Sequence, residues 1–181
     1  DNHDVARIYG VLGRDLQKLK IALGWLLTLR GIPCLYYGTE ILMAHTDGHG
    51  LIRQDFPGGW PDDKVNKFFS EGRTNEENEI FRFISSLNHM RKAHPALSTG
   101  RFTHFVPREG LYFYTKTDKE GGQYLIISNV KSQSIRFNPS EFISLSSMRH
   151  LFGDKVEIEP NATNDLEVVV PAKSFSIYKI K

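Results

Sequence analysis

Asp1-Asn2-His3-Asp4 places two carboxylates and an imidazole within four residues, and Gly31-Ile32-Pro33-Cys34-Leu35-Tyr36-Tyr37-Gly38-Thr39-Glu40 follows after a helix-length gap. A carboxylate can move a proton, attack an electrophilic carbon or stabilise a developing positive charge. A histidine beside it can donate a hydrogen bond to a substrate hydroxyl. Taken alone, Asp4 reads better as a cap on the following turn, since Asp is a common capping residue. A lone histidine likewise reads better as a satisfied structural group. Both acids stand at the start of the 181 residues. A site built on them is expected to need residues preceding Asp1, so the chain reads as the back end of a larger enzyme.

The elements that must hold these residues follow from periodicity. Leu12, Leu16, Leu19, Leu23, Leu26 and Leu27 recur at helical steps and predict an amphipathic helix that Gly31-Ile32-Pro33 ends. Ile32 to Tyr37 is a nearly continuous apolar run, which predicts a short strand covered on both faces, as in a parallel sheet. Strand end, helix and buried strand in that order form a piece of alternating β/α architecture. Thr39 to Arg73 is long, irregular and rich in Gly, Asp and aromatics, and such loops are usually functional. Thr74 with Glu77 is a capping-box pattern. It opens a second helix with Ile80, Phe83, Ile84, Leu87 and Met90 on its apolar face, closed by Pro95. Beyond Leu97 the texture changes. Phe102–Val106, Leu111–Lys116, Gln123–Ser128, Ser134–Phe137, Leu166–Val170 and Phe175–Ile180 read as short strands between turn residues, most simply an antiparallel sandwich. The expected division is 1–97 and 98–181.

Composition narrows the function classes. The chain is 40% hydrophobic and 24% charged with a net charge of +2, and no basic run points to nucleic acid. The longest apolar stretch, Trp25 to Leu29, is too short to span a bilayer. The single cysteine, Cys34, excludes an intrachain disulfide and a Cys-rich zinc site; a small buried hydrophobe is the expected role. His45 and His49 flank Asp47 but lack a third well-spaced ligand, so no metal site is expected.

Asp1-Asn2-His3-Asp4 followed by Gly-Ile-Pro-x-x-Tyr-Tyr-Gly-x-Glu resembles the fourth and seventh sequence regions of the α-amylase family, glycoside hydrolase family 13. The resemblance covers essentially the whole chain. It implies the C-terminal end of a (β/α)8 barrel, strands seven and eight with helices seven and eight, followed by an antiparallel β-sandwich called domain C. Ile52 to Trp60, together with Gly72-Arg73-Thr74 and Glu77-Asn78, is similar to neopullulanase and cyclomaltodextrinase-like members.

The resemblance makes Asp4 the third carboxylate of a retaining glycosidase, the one that stabilises the oxocarbenium-like transition state. His3, Arg53 and Asp55 become substrate-binding residues. Arg7 either steadies the acids or sits in an ion pair. Trp60, Phe56 and Tyr37 are candidates to stack on sugar faces, with Trp60 equally a loop anchor. Glu40 reads as a cap or a buried structural carboxylate. The family's nucleophile and acid/base lie on strands four and five and have no match here, so these residues are expected to be inactive alone and to need the upstream part of the barrel. The implied substrate is an α-glucan with α-1,4 and in some members α-1,6 linkages. Transglycosylation runs on the same scaffold. Calcium, in the members that bind it, is held mostly by upstream residues. A secreted or periplasmic home is implied by resemblance only. A non-catalytic carbohydrate-binding or association module is the alternative class, and exposed aromatics on one sandwich face would favour it.

Overall fold

The computed structural model describes residues 1–160 and 166–181. Among the described residues five α-helices precede the strands: α1 (Ile8–Val11), α2 (Leu16–Thr28), α3 (His49–Ile52), α4 (Asn75–Ala93) and α5 (Ala96–Thr99). Asp15 caps α2, its Oδ1 accepting from the N–H groups of Gln17 and Lys18 at 3.1 Å each. Thr74 caps α4 in the reciprocal box that its sequence predicts. Glu77 N–H donates to Thr74 Oγ1 at 3.2 Å, and Thr74 N–H donates to Glu77 Oε2 at 2.8 Å. Each bond satisfies a donor that a helix start otherwise leaves open.

Helix α2 buries more of its surface than one leucine stripe. Leu19 and Leu23 pack with Ile80 and Ile84 of α4, whereas Ile21 and Leu27 turn toward the sheet. Burial of each such side chain stabilises by about 1.5–3 kcal/mol. Leu26 is exposed, contrary to the stripe. Gly24 is required by a close approach: a Cβ there would stand 2.5 Å from Phe175 Cδ2.

The strands are β1 (Arg101–His104), β2 (Leu111–Thr117), β3 (Gln123–Asn129), β4 (Ile135–Phe137), β5 (Met148–Gly153), β6 (Glu157–Pro160), β7 (Leu166–Val170) and β8 (Ser174–Ile180). They form two antiparallel sheets, β1-β2-β3-β8-β5 and β4-β7-β6. Period-two alternation sorts the larger sheet. Tyr114, Tyr124, Ile126, Phe175 and Ile177 face the helices with Ile21, Leu87 and Leu97. Leu111, Phe113, Leu125, Ile127 and Tyr178 face Phe137, Val168 and Val170 of the smaller sheet. The large sheet is therefore a middle layer, covered on both sides.

Three expectations need correction. Ile32 to Tyr37 forms no strand, and Ile32 is 97% exposed. A buried parallel strand needs neighbours to complete its ladder, and none of the described strands pairs with this run. Cys34 in the same run is exposed, not buried. Strands β5 and β6 were not legible in the sequence. A register shift between His150 and Phe152 breaks the alternation of β5. β6 is a short edge strand with two glutamates and a terminal proline, which an edge tolerates.

Candidate active site

The first motif folds into a tight turn. Asp4 N–H donates to Asn2 Oδ1 at 2.8 Å, an Asx-type turn, and Asn2 bridges Val5. Asn2 thus braces the turn. Asp1 takes the capping task, its Oδ2 accepting from Ile8 N–H at the start of α1 at 3.0 Å. Thr39 Oγ1 also donates to Asp1 Oδ2, at 3.3 Å, tying the first motif to the end of the second.

Asp4 is left facing outward, its side chain 60% exposed. Arg53 Nη2 donates to Asp4 Oδ1 at 3.0 Å, and His3 Nε2 lies 3.1 Å from Asp4 Oδ2. Arg53 Nε donates to the His3 carbonyl at 2.9 Å. Asp4 accepts from no backbone N–H among the described residues, so the capping reading does not describe it. Exposed ion pairs of this kind contribute at most about 1 kcal/mol. The arrangement orients a carboxylate more than it stabilises the fold. Each Asp4 oxygen has one partner and spare lone pairs, so it can accept further hydroxyl donors.

The second motif supplies a shelf beside this cluster. Gly38 sits at φ 84°, in the left-handed region, and a Cβ there would lie 2.1 Å from Met43 Sδ. Tyr37 Oη donates to the Gln54 carbonyl at 2.9 Å, and Gln54 Oε1 lies 3.1 Å from His45 Nε2. Arg7 is fully buried and forms no ion pair among the described residues. Its Nε donates to the Ile52 carbonyl at 3.0 Å and its Nη1 to the Tyr37 carbonyl. Its guanidinium lies over the rings of Tyr36 and Tyr37, at 4.1 and 4.8 Å from their centroids. Burial pushes the Tyr36 hydroxyl up, and the Tyr37 hydroxyl adds to this; the charges of Arg7 and Arg53 oppose it.

Of the residues singled out in the sequence, the structure brings Asp4, His3 and Arg53 together. Asp55 is exposed and makes no hydrogen bond or ion pair among the described residues. Glu40 lies in a 3-10 turn over Thr39–Ile41, with one buried carboxylate oxygen lacking a partner among the described residues. Trp60 is 69% exposed, so it is no anchor on the described residues, and the Phe56 ring packs on Phe68 at 4.6 Å. The β-module aromatics Phe113, Tyr114, Phe175 and Tyr178 are buried and Tyr112 is partly so, which counts against a carbohydrate platform built from that set. Sequence reasoning missed Gln54 and Tyr36. Tyr36 meets the guanidinium of Arg7 from a segment distant in sequence, a contact that no local spacing signals.

No protein-family model matches the chain. It is 31% identical over 169 residues to a beta/alpha-amylase of Paenibacillus polymyxa, covering 87% of this chain and 13% of that protein. It is 28% identical over 134 residues to a cyclomaltodextrinase of Bacillus sp, covering 73% of this chain and 22% of that one. The fold matches the crystal structure of an alpha-amylase from H. orenii with a TM-score of 0.77 at 22% identity, covering all of this chain and 39% of that one. The chain thus spans between about one eighth and two fifths of these proteins' lengths. Two motifs in register and similarity along most of the chain lead to one assignment: the chain belongs to the α-amylase family of glycoside hydrolases, family 13.

Proposed function

We propose that these residues are part of a retaining α-glucan hydrolase of the neopullulanase and cyclomaltodextrinase kind, acting on α-1,4 bonds of starch, pullulan or cyclodextrins, with α-1,6 bonds an additional target in some members of that kind. In this reading residues 1–97 are the C-terminal end of the (β/α)8 barrel and 98–181 are domain C. The observation that carries it is Asp4, exposed yet held between Arg53 and His3. Such a carboxylate suits the third acid of the reaction. It binds hydroxyls of the sugar at the cleavage point and favours the positive charge that develops at the anomeric carbon. His3 and Arg53 would then meet the same sugar, and Asp55, without a hydrogen bond or ion pair among the described residues, an outer one. In this reading Ile32 to Tyr37 would be strand eight, its hydrogen bonds completed by neighbouring barrel strands.

The nucleophile and acid/base are assigned to the rest of the protein. Two further carboxylates must flank the scissile bond, whereas Asp1 is committed to Ile8 and Thr39. The test is reducing-sugar release from starch, pullulan and cyclodextrins by the 181-residue chain, by the full-length protein and by its Asp4→Asn variant. The reading expects activity from the unmodified full-length protein alone. Turnover by the 181-residue chain, or full activity of Asp4→Asn, would refute it.

A further inference from the structure

We propose that Arg7 is a positioning residue for this site: it fixes Arg53, and through Arg53 the Asp4 carboxylate, by locking the end of α3. This rests on the proposed function for its catalytic consequence and on geometry for the rest. A helix of four residues is far too short to hold itself. α3 is held where Ile52 is buried and where its carbonyl accepts from Arg7 Nε at 3.0 Å. That carbonyl belongs to the peptide leading into Arg53, so the bond sets the direction in which the Arg53 side chain leaves. Arg53 then spans to the His3 carbonyl at 2.9 Å and Asp4 Oδ1 at 3.0 Å. Arg7 stands three residues after Asp4. A single side chain therefore ties the Asp4 turn to the loop that supplies its partner.

Two further contacts keep Arg7 in place. Its Nη1 donates to the Tyr37 carbonyl, and its own N–H donates to the His45 carbonyl at 3.0 Å. Tyr36 and Tyr37 hold the guanidinium plane by their ring faces. Only a rigid planar fork can serve two carbonyls from different segments while lying on aromatic rings. A lysine keeps the charge but presents one compact group. Charge alone is thus not the property that matters here.

The test is a double-mutant cycle in the full-length protein, with Arg7→Lys, Arg53→Ala and both together, reading kcat/KM on a cyclodextrin. Loss of positioning by about 1 Å can cost on the order of 100-fold, so Arg7→Lys is expected to lower kcat/KM by about 10- to 100-fold. In the Arg53→Ala background the same change is expected to cost less than about twofold, because its route of action is already gone. An equal loss in both backgrounds, or no loss in either, overturns the proposal. A second reading is independent of catalysis. In the full-length protein labelled with 15N-arginine, the Arg53 Nε–H resonance should be protected from exchange and lose that protection in Arg7→Lys. Protection that persists in Arg7→Lys overturns the proposal, whereas an active Asp4→Asn variant would remove only the functional reading.

Discussion

Gly24→Ala should destabilise this chain, although alanine favours a helix more than glycine does. Position 24 is interior to α2, where the exchange would ordinarily gain about 1 kcal/mol. The added Cβ would lie 2.5 Å from Phe175 Cδ2 and Cε2 and 2.7 Å from Cζ. Ordinary carbon contacts are about 3.5–4 Å, so ring and helix must part by about 1 Å. Phe175 is in the core that joins the helices to the middle sheet and has little room to retreat. Overpacking of this kind costs about 1–3 kcal/mol. With about 2 kcal/mol as the central value, the net loss is about 1 kcal/mol once the propensity gain is counted. Phe175→Ala alone should cost about 3–5 kcal/mol. In that background Gly24→Ala should become stabilising by about 1 kcal/mol, a coupling of about 2 kcal/mol. The assay is urea unfolding followed by far-UV circular dichroism, at unchanged slope. A stabilising Gly24→Ala in the unmodified background would refute the close approach of α2 to β8.

Three other outcomes follow from buried or paired ionisable groups. Tyr114→Phe removes the 2.6 Å hydroxyl contact with Thr28 in a fully buried setting and should cost about 1–2 kcal/mol in thermal unfolding. Burial raises the Tyr114 hydroxyl above its ordinary range. Its contribution is complete below the unfolded value near pH 10 and is lost above it, so the variant should show a weaker alkaline decline. Lys116 is fully buried, its Nζ lacks a hydrogen-bond partner among the described residues, and burial, then Arg91 and Arg30, pull it below the usual lysine range. Lys116→Met should therefore raise stability by about 1 kcal/mol at neutral pH, a gain that shrinks toward pH 10 as the lysine sheds its proton in the folded state. Asp15 is held below the usual carboxylate range by Lys173 at 2.6 Å and then by Lys18 N–H. Asp15→Asn keeps a capping oxygen and should cost under about 1 kcal/mol at pH 7. The difference should close as pH falls below about 4, because a depressed carboxylate stabilises only above that range.

Much of the architecture was legible because it is local. The α4 capping box needs only Thr74 and Glu77 three residues apart, and it formed as read. β2, β3, β7 and β8 announce themselves as short runs rich in apolar and aromatic residues between turn residues, and their bounds lie within a residue of expectation. What failed was non-local. Ile32 to Tyr37 has the composition of a buried strand, but a strand exists only where another backbone completes its hydrogen bonds. Cys34 and Ile32 are exposed for the same reason.

The candidate site divides along the same line. The resemblance to the α-amylase family pointed to Asp4, His3, Arg53 and Asp55, whereas Asp4 and His3 taken alone read as structural residues. The sequence alone left open whether Asp4 caps a turn or faces outward, and the structure assigns the cap to Asp1 and leaves Asp4 to Arg53. Arg7 shows the limit most clearly. Nothing in its neighbours along the chain foretells a fully buried guanidinium joining the carbonyls of Tyr37 and Ile52. Local propensity acts between residues a turn apart and can be read along one segment. A guanidinium held by carbonyls some thirty and forty-five positions away depends on how the whole chain packs, which is why only the tertiary structure decided it.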